Sequence, residues 1–263
     1  VIDVANGDIV ALASSPGFDP NLFVFGIGAR DWNALLQDEY RPLAAKAVTG
    51  AYPPGSTFKP VVALAALTAG TMRPGDRVHC PGFTSLGNRR FHCWKRGGHG
   101  SVDLRQSLSQ SCDCYYYEAA RRTGADAISA MAHKLGLGYR HDLPLPAVAE
   151  GLTPNSAWKK TARSEPWTTG DSFNYGIGQG FTLASPLQLA VMTARLATGR
   201  EVVPRIVKAV GGTTIHWAGA SLRFQDHEWK PRTTYGAVAG ANLLDWPIDP
   251  AEMAPWYDKA EAK

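Results

Sequence analysis

The chain is poor in cysteine. It has four in 263 residues, Cys80, Cys93, Cys112 and Cys114, too few for a disulfide scaffold. It has no run of lysine or arginine. Net charge is +4, from 27 basic and 23 acidic residues, with a pI of about 8.9. Such a mild, unclustered excess gives no indication of nucleic acid. No segment reaches the roughly 18 apolar residues of a membrane span, and no secretory signal pattern is present. An initiating Met is also missing. The chain starts at Val1 in what reads as mid-strand, so it is read as a fragment whose upstream targeting signals lie elsewhere. No internal repeat is visible. What is present is 44% hydrophobic with mean hydropathy −0.19, ample for one core and a small appendage.

The stretch "YPPGSTFKPVVALAALTAG" (52–70) carries the first chemical signal. Pro53, Pro54 and Gly55 interrupt any preceding element. Ser56 then opens a helix whose residues, Phe58, Val61, Val62 and Leu64 among them, are too apolar all round for a surface position. Gly70 ends it. Residues three apart share a helix face, so Ser56 and Lys59 are expected within hydrogen-bond reach. A lysine in a core helix is costly unless it is neutral or paired. A neutral lysine beside a serine is a general base beside a nucleophile. The plainer reading is a serine cap with a snorkelling lysine, and S-x-x-K by itself does not decide between the two.

Along the rest of the chain, residues 1–13 read as a hairpin turning at Asn6-Gly7. A short helix is expected near 40–48. Residues 71–100, rich in Gly, Arg, His and Cys, read as a loop-like insertion. Residues 101–123 read as one helix, with Ser101 as its cap and Asp103 in its first turn. A short helix follows at 125–136, then loop over 140–172. In 175–199 a glycine turn leads to a helix opening at Ser185-Pro186 and closing at Gly199. Residues 201–210 are strand-like, and beyond about 211 the periodicity fades.

Ser111-Cys112-Asp113, inside "SQSCDCYYYEAARRTG", is the second signal. A serine and an acid two apart are weak evidence alone, and a polar helix–loop junction would explain them. After S-x-x-K, and with "GIGQGFTLASPLQLA" further on, the three segments resemble the transpeptidase domain of class B penicillin-binding proteins, closest to the elongation-type branch, penicillin-binding protein 2. The resemblance covers roughly residues 1–210. It implies an α/β fold of the serine β-lactamase-like type, an antiparallel sheet flanked by helices. It implies Ser56 as the acylated nucleophile and Lys59 as its base. Ser111 would relay the proton to the leaving amine, and Asp113 would hold that network. The Ser56 N–H would be one oxyanion donor. The implied activity is peptidoglycan D,D-transpeptidation on stem peptides ending in D-Ala-D-Ala, with β-lactams acylating the same serine. The implied setting is the periplasmic face of the bacterial inner membrane, with cell-elongation membrane proteins as partners. No organic cofactor and no nucleic acid are expected. A serine β-lactamase, or a non-catalytic penicillin-binding or sensor domain, is the alternative.

The family's third motif, K-S-G or K-T-G, should follow residue 210 and is not in the sequence. "RTTYG" (232–236) is the nearest segment and lacks the pattern. Residues 211–263, with Trp217, Trp229, Trp246 and Trp256, are read as a divergent tail, and catalysis by this chain is expected to be weak or absent.

Cys80, Cys93, His99 and Cys112 form C-x12-C-x5-H-x12-C. Three thiols and an imidazole make a tetrahedral zinc set, structural because no open position is implied. A Cys80–Cys93 disulfide and buried free thiols are the alternatives. Cys114, His79 and His92 are possible substitute ligands.

Overall fold

The computed structural model describes residues 1–206 other than Phe25 and Pro146. The 201–210 segment is thus described only in part, and the tail at 211–263 lies outside the described residues. Two units are present. In the smaller, residues 18–34 carry a 3-10 turn (Pro20–Phe23) with Asp19 as its cap. Phe23 there packs edge-on to Phe18 and Trp32, at 5.4 and 6.3 Å. The sequence pattern did not show α1 (Ala29–Gln37), which begins in this unit.

Among the described residues, the larger unit combines residues 1–17 with 35–206. The expected hairpin at its start is present in reduced form, as an Ile2–Ile9 bridge with Asp8 bridged in parallel to Arg205. After α2 (Lys46–Thr49), a 3-10 turn (Gly55–Phe58) leads without a break into α3 (Lys59–Thr68). Val61, Val62, Ala65 and Ala66 of α3 are buried, as their apolarity requires.

Residues 71–100 are not the loop expected of them. They hold β1 (Val78–Cys80), β2 (Phe83–Leu86), β3 (Arg89–His92) and the start of β4 (Gly100–Val102). β1 pairs with β4 and β2 with β3, both antiparallel. These strands are three or four residues long and polar, too short to show a period. Ser101 is consequently a strand residue opposite His79. The cap that follows is Asp103, which forms a capping box with Gln106 at the start of α4 (Leu104–Ser109).

The single helix expected over 101–123 is two. α4 ends, Ser111 takes a positive φ of 50°, and α5 (Asp113–Thr123) begins with Cys112 as its N-cap. α5 puts Tyr115 and Tyr116 in the core and packs on α3 and on α8 (Thr169–Gly176). Gly176 lets α8 come so near the Tyr116 carbonyl that a Cβ would collide with it. α6 (Ala125–Lys134) packs on α3. The expected loop over 140–172 contains α7 (Ser156–Arg163) and the first half of α8. α9 (Pro186–Thr198) begins and ends as expected, with a Ser185–Gln188 capping box and Gly199 in the left-handed region.

Candidate active site

Ser56 stands in the turn that precedes α3, exposed to solvent. Two contacts set the height of this turn. The Gly55 N–H donates to the Gly178 carbonyl at 2.8 Å. Phe58 stacks on Tyr175 with ring centres 5.3 Å apart. Gly178 has φ +67°, and a Cβ there would strike the Gly55 carbonyl oxygen. The "GIGQG" segment therefore braces the serine turn from behind.

Lys59, the first residue of α3, is 2% exposed. Its Nζ donates to Ser111 O at 2.7 Å, to Ser111 Oγ at 2.9 Å and to Asp113 Oδ1 at 2.6 Å. The Tyr116 ring lies 5.5 Å from the same nitrogen. Three acceptors match the three donors of an ammonium. The expected Ser56–Lys59 hydrogen bond is not formed, because Ser111 and Asp113 take every donor.

The break between α4 and α5 makes this possible. The left-handed turn at Ser111 presents its carbonyl and its hydroxyl to one nitrogen. Asp113 then sits in the first turn of α5, where the helix dipole favours a carboxylate. Its second oxygen accepts from the Trp94 backbone N–H at 2.9 Å, while the Trp94 indole N–H reaches Gln110 O at 3.0 Å. Trp94 was not legible from sequence, because its decisive contribution is a main-chain donor. Gly178 was quoted there within a motif but given no role. Ser56, Ser111 and Asp113 line a cleft of about 710 Å³ together with Trp94, Asn174 and Gln179.

The four expected metal ligands converge. One donor atom each from Cys80, Cys93, His99 and Cys112 lies within 4.8 Å of the others. His99 Nδ1 is 3.6 Å from Cys80 Sγ and 3.5 Å from Cys93 Sγ. A tetrahedral zinc site with ordinary bond lengths has S···N edges of about 3.6 Å, which these two distances match. Strand register brings it about. Cys80 faces Gly100, next to His99, and His92, next to Cys93, faces Phe83. Alternation along a strand sends His79 and His92 to the opposite, exposed side, which removes them as substitutes. All four cysteines are free and buried, so no Cys80–Cys93 disulfide is formed. A hydrogen bond from Cys114 pulls the Cys112 thiol down to about 5, and burial pushes Cys93 up to about 11. The cluster adjoins the residues that hold Lys59. Cys112 lies between Ser111 and Asp113, and Cys93 precedes Trp94.

A serine poised ahead of a buried lysine, whose partners come from a second helix start, is the arrangement of serine enzymes that transfer acyl groups with lysine assistance. Comparison with known proteins narrows the class. The family model for the penicillin binding protein transpeptidase domain matches residues 1–234. Peptidoglycan D,D-transpeptidase MrdA of Acinetobacter baumannii is 40% identical over 214 residues, 80% of this chain and 32% of that protein. MrdA of Haemophilus influenzae is 37% identical over 253 residues, 92% of this chain and 39% of that protein. Among solved structures, PBP2 of Pseudomonas aeruginosa in complex with WCK 5153 aligns with TM-score 0.74 and 40% identity, over 79% of this chain and 46% of that one. PBP2 of Helicobacter pylori in complex with MreC aligns with TM-score 0.75 and 27% identity, over 99% and 43%. The imipenem acyl-enzyme of penicillin-binding protein A from Mycobacterium tuberculosis aligns with TM-score 0.65 and 29% identity, over 75% and 45%. The chain belongs to the penicillin-binding protein transpeptidase family, with the fold that the resemblance implied. It spans about a third to two fifths of the length of these curated relatives.

Proposed function

We propose that this chain is the acyl-transfer part of a peptidoglycan D,D-transpeptidase of the elongation type. The observation that carries the reading is the buried Lys59, held by Ser111 and Asp113 behind the exposed Ser56. Ser56 Oγ attacks the carbonyl between the two terminal D-alanines of a stem peptide. The C–N bond breaks, D-alanine leaves, and the acyl group stays on Ser56. The amine of a second stem peptide then attacks this ester and releases the serine. Lys59, acting in its neutral form, takes the Ser56 proton and passes it through Ser111, 2.9 Å from Nζ, to the leaving amine; the proton shed by the attacking amine in the second step returns by the same groups to Ser56. The Ser56 N–H serves as one oxyanion donor. The missing K-S-G or K-T-G segment leaves substrate anchoring and a second donor unassigned, and losing one such donor typically costs about 10²–10³ in rate. Turnover is therefore expected below about 1 per second.

Zinc is part of the proposal. Cys80, Cys93, His99 and Cys112 would hold it, and its role would be to tie the strand ribbons to the start of α5. The proposed setting is the periplasmic face of the inner membrane. No helix of the described residues is long and apolar enough to cross a membrane. Membrane proteins of cell elongation are the proposed partners, in keeping with the neighbour solved with MreC. β-Lactams are proposed to acylate Ser56, as imipenem acylates the mycobacterial neighbour.

Among the described residues lining the cleft, Asp113 is the one carboxylate, and it is committed to Lys59 and Trp94. That favours a long-lived acyl-enzyme over a β-lactamase, which needs a base for its deacylating water. Labelling with fluorescent penicillin, followed by a chase, tests the reading. Stable label on the peptide containing Ser56, abolished in Ser56→Ala, supports it. Rapid release would indicate a β-lactamase. Absence of label would indicate a non-catalytic domain.

A further inference from the structure

Outside the β2–β3 hairpin, most hydrogen-bonding side chains on the cleft wall are committed within the protein. Ser111 and Asp113 hold Lys59. The Trp94 indole N–H donates to Gln110 O at 3.0 Å, and the Tyr117 hydroxyl donates to His92 O at 2.8 Å. Besides the nucleophile Ser56, the exceptions are two amides, Asn174 on α8 and Gln179 shortly after it. Asn174 is half-buried and Gln179 is exposed. Among the described residues, neither side chain makes a hydrogen bond.

Their backbone is held firmly. Lys159, 3% exposed, donates to Asp171 Oδ2 at 2.6 Å and pins the first turn of α8. Tyr175, next to Asn174, stacks on Phe58. The Gln179 N–H donates to Asn174 O at 2.9 Å, which brings the two residues together. Gly178 abuts the Gly55 carbonyl, and Gln179 and Ser56 are the residues that follow this touching pair. At about 3.3–3.6 Å per extended residue, Gln179 therefore stands within about two or three residues of peptide from the nucleophile. An amide side chain offers both an N–H donor and a C=O acceptor, the complement of a peptide group.

We propose that Asn174 and Gln179 are substrate-positioning residues that hydrogen-bond the main-chain amide of the stem peptide next to the bond that Ser56 attacks. The ligand is an uncharged secondary amide. The pair fixes how the peptide lies against the serine turn and takes no part in bond making. This deepens the reading of the cleft as the acyl-transfer site and rests on it.

Penicillins give a kinetic test. Benzylpenicillin bears a secondary amide on its reactive ring, and 6-aminopenicillanic acid has a free amine in its place. Second-order rate constants for acylation of Ser56 by each are measured in competition with fluorescent penicillin. The proteins are wild type, Asn174→Leu, Gln179→Met and the double variant, which keep side-chain bulk and lose the amides. Ordinary neutral hydrogen bonds predict that benzylpenicillin slows about fivefold more than 6-aminopenicillanic acid in each single variant, and about tenfold or more in the double. Equal slowing of both compounds, which a merely structural role would give, overturns the proposal, as does no slowing. A second measurement does not depend on acylation. In 15N NMR spectra of Ser56→Ala protein, the side-chain NH2 signals of Asn174 and Gln179, identified by their loss in the variants, should shift on titration with diacetyl-Lys-D-Ala-D-Ala. Signals that stay in place overturn the proposal. Failure of the catalytic reading would show separately, as absence of penicillin label on wild-type protein.

Discussion

Lys59 Nζ lies 2.6 Å from Asp113 Oδ1, with the two side chains 2% and 12% exposed, although the residues are 54 positions apart in sequence. Removing one partner of a buried ion pair strands the other charge. Asp113→Ala is expected to lower stability by about 3 kcal/mol or more, read from urea denaturation. Asp113→Asn keeps an acceptor for Lys59 and should cost less. Both should slow penicillin labelling of Ser56. Labelling at the wild-type rate in Asp113→Ala would show that the pair does not organise the site.

Freshly purified protein should contain about one zinc per chain, bound by the set of three thiols and one imidazole. Cys112→Ser should lower both zinc content and melting temperature, since metal binding is linked to folding. It should also slow acylation, because Cys112 ties Ser111 to Asp113. Elemental analysis that finds no zinc in the wild-type protein ends the metal reading.

Gly178 is a position where one methyl group should be felt at the nucleophile. Its φ of +67° and its approach to the Gly55 carbonyl leave no room for a Cβ. Gly178→Ala should destabilise the fold by about 1–3 kcal/mol. By displacing the serine turn it should slow Ser56 acylation by up to about a hundredfold. A crystal structure of the variant with Ser56 unmoved, together with unchanged labelling, would contradict this.

His141 is 3% exposed, and its Nε2 lies 2.9 Å from the Gly136 carbonyl. Burial holds its pKa below the ordinary 6.5, against the pull of that carbonyl. The unfolded chain then binds the proton more readily than the folded one. Stability from this group is fully present above about pH 6.5 and is lost as pH falls toward the lower folded value. Melting temperature should decline between pH 7 and 5, and the decline should be shallower in His141→Gln. Equal slopes in the two proteins would exclude His141 as the cause.

Several features were legible because they are local. The Pro-Pro-Gly lead-in, the apolar run of α3, the Ser185-Pro186 start and the Gly199 stop of α9 each follow from residues within one or two turns. The family motifs likewise marked Ser56, Lys59, Ser111 and Asp113. Other elements left no local trace. The strands between 78 and 102 are too short and polar to show alternation. The residues of α8, TGDSFNYG, are poor helix formers, and the helix relies on its Thr168–Asp171 capping box and its packing on α5. Ser101 looked like a cap, yet β-pairing with His79 claimed it, and Asp103 took the role.

The chemistry divides in the same way. Local sequence settles that a serine precedes a lysine at the mouth of an apolar helix, since chain breaking and apolar periodicity act over a few residues. Whether Lys59 faces Ser56 or is claimed by other acceptors is decided at long range. Ser111 and Asp113 compete for its donors, and they win because α4 breaks at a left-handed residue and α5 restarts against α3. The four candidate metal donors, separated by as many as 32 positions, meet because two strand registers and one helix start share a corner of the fold. The Trp94 donor to Asp113 belongs to the main chain, which every residue but proline supplies, so its use as part of the site exists only once the chain has folded.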